Sequence, residues 1–142
     1  MTVKDKTNLL THNQWSNGRY LNNTTGFDSN NNSSLTIEKD YLKVSGIGYI
    51  VCRINYGLNA NVWLRTINVS SKIITFKNAT FQFSFDGNWK TGITISSSNN
   101  WQTVNLSYII PEDSSTVSIA WVINSNEQDN LFYLKYISLT IQ

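Results

Sequence analysis

From Trp101 to Ile123 the sequence reads WQTVNLSYIIPEDSSTVSIAWVI, and its pattern is the strongest indication of the fold. Apolar residues alternate with polar residues on both sides of a short polar turn. The alternating apolar positions are Val104, Leu106, Tyr108, Ile110, Val117, Ile119, Trp121 and Ile123. Side chains on a β-strand point alternately to the two faces of a sheet. Each run therefore predicts a strand with one buried face.

The last run of the chain, from Leu131 to Thr140, reads LFYLKYISLT and alternates with one change of phase. Its core-type residues are first even-numbered and then odd-numbered: Phe132, Leu134, Ile137, Leu139 and Ile141. One extra residue in a strand shifts the phase in this way, so we predict a β-bulge near Lys135 and Tyr136.

Short alternating runs fill the rest of the chain, separated by clusters of Asn, Ser, Gly and Thr. The predicted strands are Ser34–Glu38, Tyr41–Val44, Gly48–Asn55, Asn61–Val69, Ile73–Phe76, Thr80–Phe85, Gly92–Ser97, Gln102–Ile110, Thr116–Asn124 and Leu131–Ile141. This spacing predicts one all-β domain over residues 1–142, folded as a two-sheet antiparallel β-sandwich. Its predicted core contains Phe81, Phe83, Phe85, Leu106, Ile119, Trp121, Ile137 and Leu139.

The order of these features resembles the end of the jelly-roll carbohydrate-binding modules, especially families 4 and 9. The resemblance is carried by Trp101, the paired strands around Pro111, and the closing pattern F-Y-L-x-x-I-S-L. The step Asn8-Leu9-Leu10, followed by Trp15, is similar to the first strand and long excursion of these modules. The resemblance implies a jelly roll that binds glycans on its concave face or at its loops. Such modules occur in polysaccharide-active enzymes, surface adhesins and phage virion proteins.

Composition excludes several classes of protein. The chain has 142 residues, of which 40% are hydrophobic and 14% charged, and its net charge is +2. That charge is too small for a surface that neutralises phosphates, so we expect no nucleic-acid partner. No apolar run approaches the roughly 18 residues of a membrane span, so we expect no membrane insertion. The single cysteine, Cys52, lies in an apolar run and is expected to be a buried, inert thiol.

The segment Met1–Lys6 lacks the apolar core of a signal peptide. We expect either a module cut from a larger protein or a complete protein made in a cytoplasm, such as a virion component. The expected location is a virion or cell surface.

Catalytic chemistry is not predicted. The only histidine, His12, lies in a polar segment without a neighbour at metal-ligand spacing. The acidic residues form no recognisable glycosidase pair, and the chain has no phosphate loop or dinucleotide fingerprint. We therefore expect a chain that is not an enzyme and needs no cofactor.

The resemblance suggests one possible metal, a structural calcium. Related modules often hold it with an Asp just before the final I-S-L pattern, where this chain has Lys135 and Tyr136. Because calcium requires oxygen ligands, a lysine at that position opposes the ion. We expect no metal at this site.

The candidate glycan site follows from the outward-facing aromatic residues. Sugar rings pack their C–H faces on Trp or Tyr, while their hydroxyls need polar partners. Strand parity predicts that Val62 and Leu64 are buried and that Trp63 and Arg65 face outward. The predicted carbohydrate-binding residues are Trp63, Arg65, Arg53, Gln82 and Tyr49.

Two functions remain open at this stage. The first is a non-catalytic module that binds surface glycans or polysaccharide. The second is a virion structural protein, such as a capsid decoration, fibre or tail-tip component, whose aromatic residues contact other virion or surface proteins. A hydrolase is disfavoured because paired acids are missing.

Overall fold

The computed structural model describes Leu9 and residues 27–142, and strands dominate this part of the chain. The strands are β1 (Asp28–Ser29), β2 (Ser33–Ile37), β3 (Leu42–Gly46), β4 (Ile50–Gly57), β5 (Thr66–Thr75), β6 (Ala79–Phe85), β7 (Asn88–Trp89), β8 (Ile93–Ile95), β9 (Gln102–Ile109), β10 (Thr116–Ile123) and β11 (Asn130–Ile141). A short 3-10 helix covers Ala60–Val62. Of the predicted first strand only Leu9 is described, and its N–H donates to the Leu139 carbonyl at 2.8 Å. His12 and Trp15 lie outside the described residues.

The strands form two sheets in which every pairing is antiparallel. Sheet A has the order β1-β4-β10-β6-β7, with β8 also paired to β6. Sheet B has the order β2-β3-β11-β5-β9. The predicted two-sheet antiparallel sandwich is confirmed.

The inner faces of the two sheets enclose one large hydrophobic core. Trp121 on β10 is fully buried and stacks on Phe81, with ring centroids 5.1 Å apart. Its indole N–H donates to the hydroxyl of Ser71 on the opposing sheet at 3.0 Å. Seven of the eight predicted core residues are buried, whereas Leu106 is partly buried against the core. Cys52 is buried as expected, and loss of hydration raises the pKa of its thiol.

The bounds of the predicted strands Asn61–Val69 and Ile73–Phe76 are wrong, because a single strand, β5, runs from Thr66 to Thr75 without a break. Val62 ends the 3-10 helix and is only partly buried. Leu64 has a φ of 65° and is 65% exposed, which contradicts its predicted burial. The polar triplet Ser70-Ser71-Lys72 continues the strand because Ser71 finds a partner inside the core.

The predicted bulge in the last strand is confirmed. The register between β11 and β5 shifts between Lys135 and Ser138. Within that interval Tyr136 adopts a φ of 53°, which is uncommon for an aromatic residue. The bulge turns Ile137 and the rest of the strand back toward the core.

Candidate functional site

The outer face of sheet A carries the first candidate surface. Directly opposed residues of antiparallel strands point to the same face, so the register defines rows of neighbours. One row runs Arg53–Ala120–Gln82 across β4, β10 and β6. The next runs Asn55–Ser118–Ser84–Trp89 and reaches β7. A third runs Val51–Val122–Thr80–Thr94 and reaches β8.

Side-chain size differs systematically along these rows. The central strand β10 presents only small side chains on this face: Thr116, Ser118, Ala120 and Val122. Longer side chains flank it, with Arg53 on β4 and Gln82 on β6. The outer face along β10 is here called the β10 groove; Ser118 lies at its floor, and Arg53, Asn55, Gln82 and Trp89 lie on the strands beside it.

One half of this face is closed and the other half is accessible. Val51, Ala120 and Val122 form a small apolar cluster and are buried although they point away from the main core. Asn55 and Trp89 are exposed, and Ser118 between them is half-buried. A ligand therefore has access to the half of the groove that contains Asn55, Ser118 and Trp89.

Polar side chains in and beside the groove are held by neighbours. Nη2 of Arg53 lies 3.2 Å from a carboxylate oxygen of Asp28 on β1. The buried Nε of Arg53 has no hydrogen-bond partner in the described part of the chain. The Ser118 hydroxyl donates to Oδ1 of the exposed Asn55 at 2.5 Å. These contacts provide oriented donors along the groove.

Trp89 lies on the hairpin that joins β6 to β7, and its side chain is 46% exposed. The turn residues Asp86 and Gly87 have φ values of 50° and 85°, as a type I′ hairpin requires. The Asp86 carboxylate accepts hydrogen bonds from Ser115 N and Oγ and from Thr116 N. These bonds lower the pKa of Asp86, the side-chain bond to Ser115 being the largest cause. They tie the hairpin that carries Trp89 to the start of β10.

The structure brings together only two of the five carbohydrate-binding residues predicted from the sequence. Arg53 and Gln82 lie in one row of sheet A, as strand parity predicted. Trp63 follows the 3-10 helix, packs against the core, and donates its indole N–H to the Ser114 carbonyl at 2.8 Å. Arg65 reaches the Ile141 carbonyl at 3.4 Å, at the end of sheet B. Tyr49 is exposed in the turn before β4, beyond the closed half of the groove.

Sequence reasoning missed a second surface, on the outer face of sheet B. Here called the aromatic–lysine surface, it comprises Tyr41, Phe76, Trp101, Tyr133, Tyr136, Lys43, Lys72 and Lys135. Tyr133 lies 4.6 Å from Tyr41 and 5.4 Å from Phe76 between ring centroids. The pKa of Tyr41 is raised, first by loss of hydration and then by the negative charges of neighbouring groups. The alternation along β11 could have indicated this surface, because Tyr133 and Lys135 alternate with the buried Phe132 and Leu134.

At the position where related modules hold calcium, this chain has a lysine that contacts an aromatic ring and a carboxylate. The Lys135 ammonium lies 4.2 Å from the centre of the Trp101 ring and 3.9 Å from Asp40 Oδ2. Residues 27–142 and Leu9 contain no cluster of three or more His, Cys, Asp or Glu side chains that is able to hold a metal ion. The described residues also include no helix long and apolar enough to cross a membrane.

Solved structures share this architecture. The enzymatically active domain of tailspike protein 4 from bacteriophage CBA120 matches with a TM-score of 0.69 and 12% identity, over 92% of this chain and 21% of that chain. The xylan-binding domain CBM22-1 of Paenibacillus barcinonensis Xyn10C matches with a TM-score of 0.64 and 11% identity, over 99% of this chain and 97% of that chain. A family 4 carbohydrate-binding module matches with a TM-score of 0.59 and 16% identity, over 82% of this chain and 79% of that chain.

The fold is that of the jelly-roll carbohydrate-binding modules. The resemblance seen in the sequence is thereby confirmed at the level of fold. This chain spans about a fifth of the tailspike chain that it matches. No protein-family model matches the chain, and no curated protein matches its sequence.

Proposed function

We propose that the chain is a non-catalytic module that binds glycans at a virion or cell surface, and that the β10 groove is its site. The main support for this proposal is the row Asn55–Ser118–Ser84–Trp89, in which small polar residues lie beside an exposed indole. The likeness to carbohydrate-binding modules supports the same assignment.

The groove supplies the two contacts that a sugar ring requires. The indole of Trp89 offers a flat apolar face for the C–H groups of a pyranose. The exposed Asn55 offers an amide for its hydroxyls, and the partly exposed Gln82 and Arg53 offer an amide and a guanidinium group at the border of the closed half. Compared with the site expected from sequence, the proposal keeps Arg53 and Gln82 and assigns the stacking ring to Trp89 instead of Trp63. The indole of Trp63 packs against the core and donates its N–H to the Ser114 carbonyl.

A shallow groove with few enclosed contacts binds weakly. We expect a dissociation constant in the micromolar to millimolar range, which corresponds to roughly 4–8 kcal/mol. Retention on a polysaccharide surface then requires several copies acting together, as on a virion or in a multidomain protein.

Affinity electrophoresis in gels that contain neutral polysaccharides, beginning with xylan, tests the proposal. Trp89→Ala and Gln82→Ala are expected to abolish or sharply reduce retardation while circular dichroism stays unchanged. Trp63→Phe is the matched control, because it keeps a ring against the core outside the groove. If Trp63→Phe loses retardation and Trp89→Ala keeps it, the site lies near Trp63 and the groove assignment is wrong.

A second candidate function is a virion structural component. It is favoured by the tailspike likeness and by two apolar side chains, Leu64 and Ile109, that are each 65% exposed at one end of sheet B. Leu64 N–H donates to the Ile110 carbonyl, so the two exposed side chains belong to neighbouring segments. Assembly through this end predicts that Leu64→Asn with Ile109→Thr disrupts self-association measured by light scattering. A parent chain that binds no neutral glycan but associates through these residues would favour this function.

A further inference from the structure

Two lysines face each other on the outer face of sheet B. Lys72 on β5 is the direct cross-strand partner of Lys135 on β11. Like charges in this position destabilise a sheet. Lys135 is compensated, since it lies over Trp101 and near Asp40, and only 14% of its side chain is exposed. Within the described residues no carboxylate forms a salt bridge with Lys72.

The ring of Tyr136 lies close to both ammonium groups. Nζ of Lys135 is 5.1 Å and Nζ of Lys72 is 5.7 Å from its centroid. The β-bulge gives Tyr136 its position, with a positive φ that only the surrounding structure can maintain. The result is a half-exposed phenol ring with two positive charges beside it.

The aromatic side chains continue along β11 in a connected series. Trp101 lies 5.9 Å from Tyr41, and Tyr41 lies 4.6 Å from Tyr133. Beyond Tyr133 and Phe76 the surface opens into a pocket of about 380 Å³ whose lining includes Lys43 and Leu131. From Leu131 to Lys135 the strand spans about 14 Å, at roughly 3.4 Å per residue. A saccharide longer than one ring fits along this line.

We propose that the aromatic–lysine surface is a second saccharide site, separate from the β10 groove, and that it takes a glycan carrying anionic groups. An anionic group of the glycan lies between Lys72 and Lys135 and removes their mutual repulsion. The pyranose rings pack on the aromatic series from Trp101 to Tyr133. A neutral glycan would leave the Lys72 ammonium without a counter-charge beside Lys135, which is why the ligand is assigned a negative charge.

The test uses two soluble polymers that share one glucan backbone, carboxymethylcellulose and hydroxyethylcellulose. In affinity electrophoresis the parent chain is expected to be retarded by the carboxylated polymer far more than by the neutral polymer. A gel with cellulose sulfate, which has the same backbone, distinguishes carboxylate from sulfate as the preferred anion. Stronger retardation by either anionic polymer supports the proposal, and equal retardation by carboxymethylcellulose, cellulose sulfate and hydroxyethylcellulose overturns it.

Variants of Lys72 locate the site. Lys72→Gln is expected to weaken binding to the preferred anionic polymer roughly tenfold, the value of one charge-assisted hydrogen bond. Lys72→Arg is expected to retain most of the affinity. The matched control is Lys90→Gln, which changes the net charge equally but follows β7 of sheet A. Equal losses in Lys72→Gln and Lys90→Gln would show general charge attraction and overturn the proposal.

Two further measurements separate this site from a structural role and from the β10 groove. The melting temperature of Lys72→Gln is expected to equal or exceed that of the parent, because a like-charge pair is removed. A lower melting temperature with unchanged binding would give Lys72 a structural role and overturn the proposal. Trp89→Ala is expected to leave retardation by the anionic polymer intact, so failure of either site is detected independently.

Discussion

Trp121 and Ser71 connect the two sheets across the core, and their coupling is the most demanding test of the packing. The Trp121 ring has no exposed surface and stacks on Phe81 at an interplanar angle of 14°. Its N–H donates to Ser71, a buried hydroxyl on β5. Removing either partner therefore leaves a cavity or an unpaired polar group at the centre of the sandwich.

The expected magnitudes differ for the two partners. Trp121→Ala is expected to lower the free energy of unfolding by about 3–5 kcal/mol, since a large aromatic side chain leaves a cavity. Ser71→Ala is expected to cost about 1–3 kcal/mol, because the indole N–H remains buried without an acceptor. In the double variant that donor is absent. The two effects should then fall short of additivity by about 1 kcal/mol.

Urea denaturation followed by far-ultraviolet circular dichroism measures all four proteins of this cycle. Ser70→Ala is the control, because the neighbouring serine bonds Ser138 on the outer face of the same sheet. Its cost is expected to stay below that of Ser71→Ala. A denaturation midpoint unaffected by Trp121→Ala would refute the burial argument, and strict additivity would refute the hydrogen bond between the sheets.

Three other predictions concern stability. The lowered pKa of Asp86 means that its contribution is present above the unfolded pKa of about 3.9 and is lost as the pH falls through the folded value. Asp86→Asn should therefore lower the melting temperature at pH 7 and weaken its acid dependence; an unchanged pH profile would contradict this. Gly46→Ala should destabilise strongly, since a Cβ would lie 1.9 Å from the Asn32 carbonyl oxygen, whereas Gly57→Ala has open space and should not. Thermal unfolding should be insensitive to chelator, and a drop reversed by calcium would show a bound ion.

Strand content, the two-sheet sandwich and most of the core could be predicted from sequence because they depend on local alternation. Phe81, Phe83 and Phe85 are buried as their parity predicts. The bulge near Tyr136 was predictable as well, since a phase change within one strand needs no knowledge of its neighbours.

Local pattern failed where a distant partner decides the conformation. The polar triplet around Ser71 interrupts the apolar alternation, yet β5 continues through it because Trp121 supplies a donor from fifty residues away. The run containing Val62 and Leu64 resembled a strand, yet the Trp63 indole bonds the Ser114 carbonyl and the chain turns before β5 begins. In both cases a long-range hydrogen bond outweighs local propensity.

Where a strand was identified correctly, its outward-facing side chains were predictable from the sequence, because they depend only on period-2 geometry. Which of these side chains are neighbours depends on the tertiary structure. Arg53 meets Gln82 across Ala120 through the register of three strands, and Lys72 meets Lys135 through the pairing of two. Register and strand order arise from packing the whole sandwich, because burial of one face of every strand must be satisfied at once. A binding surface assembled from several strands therefore exists only after that packing is complete.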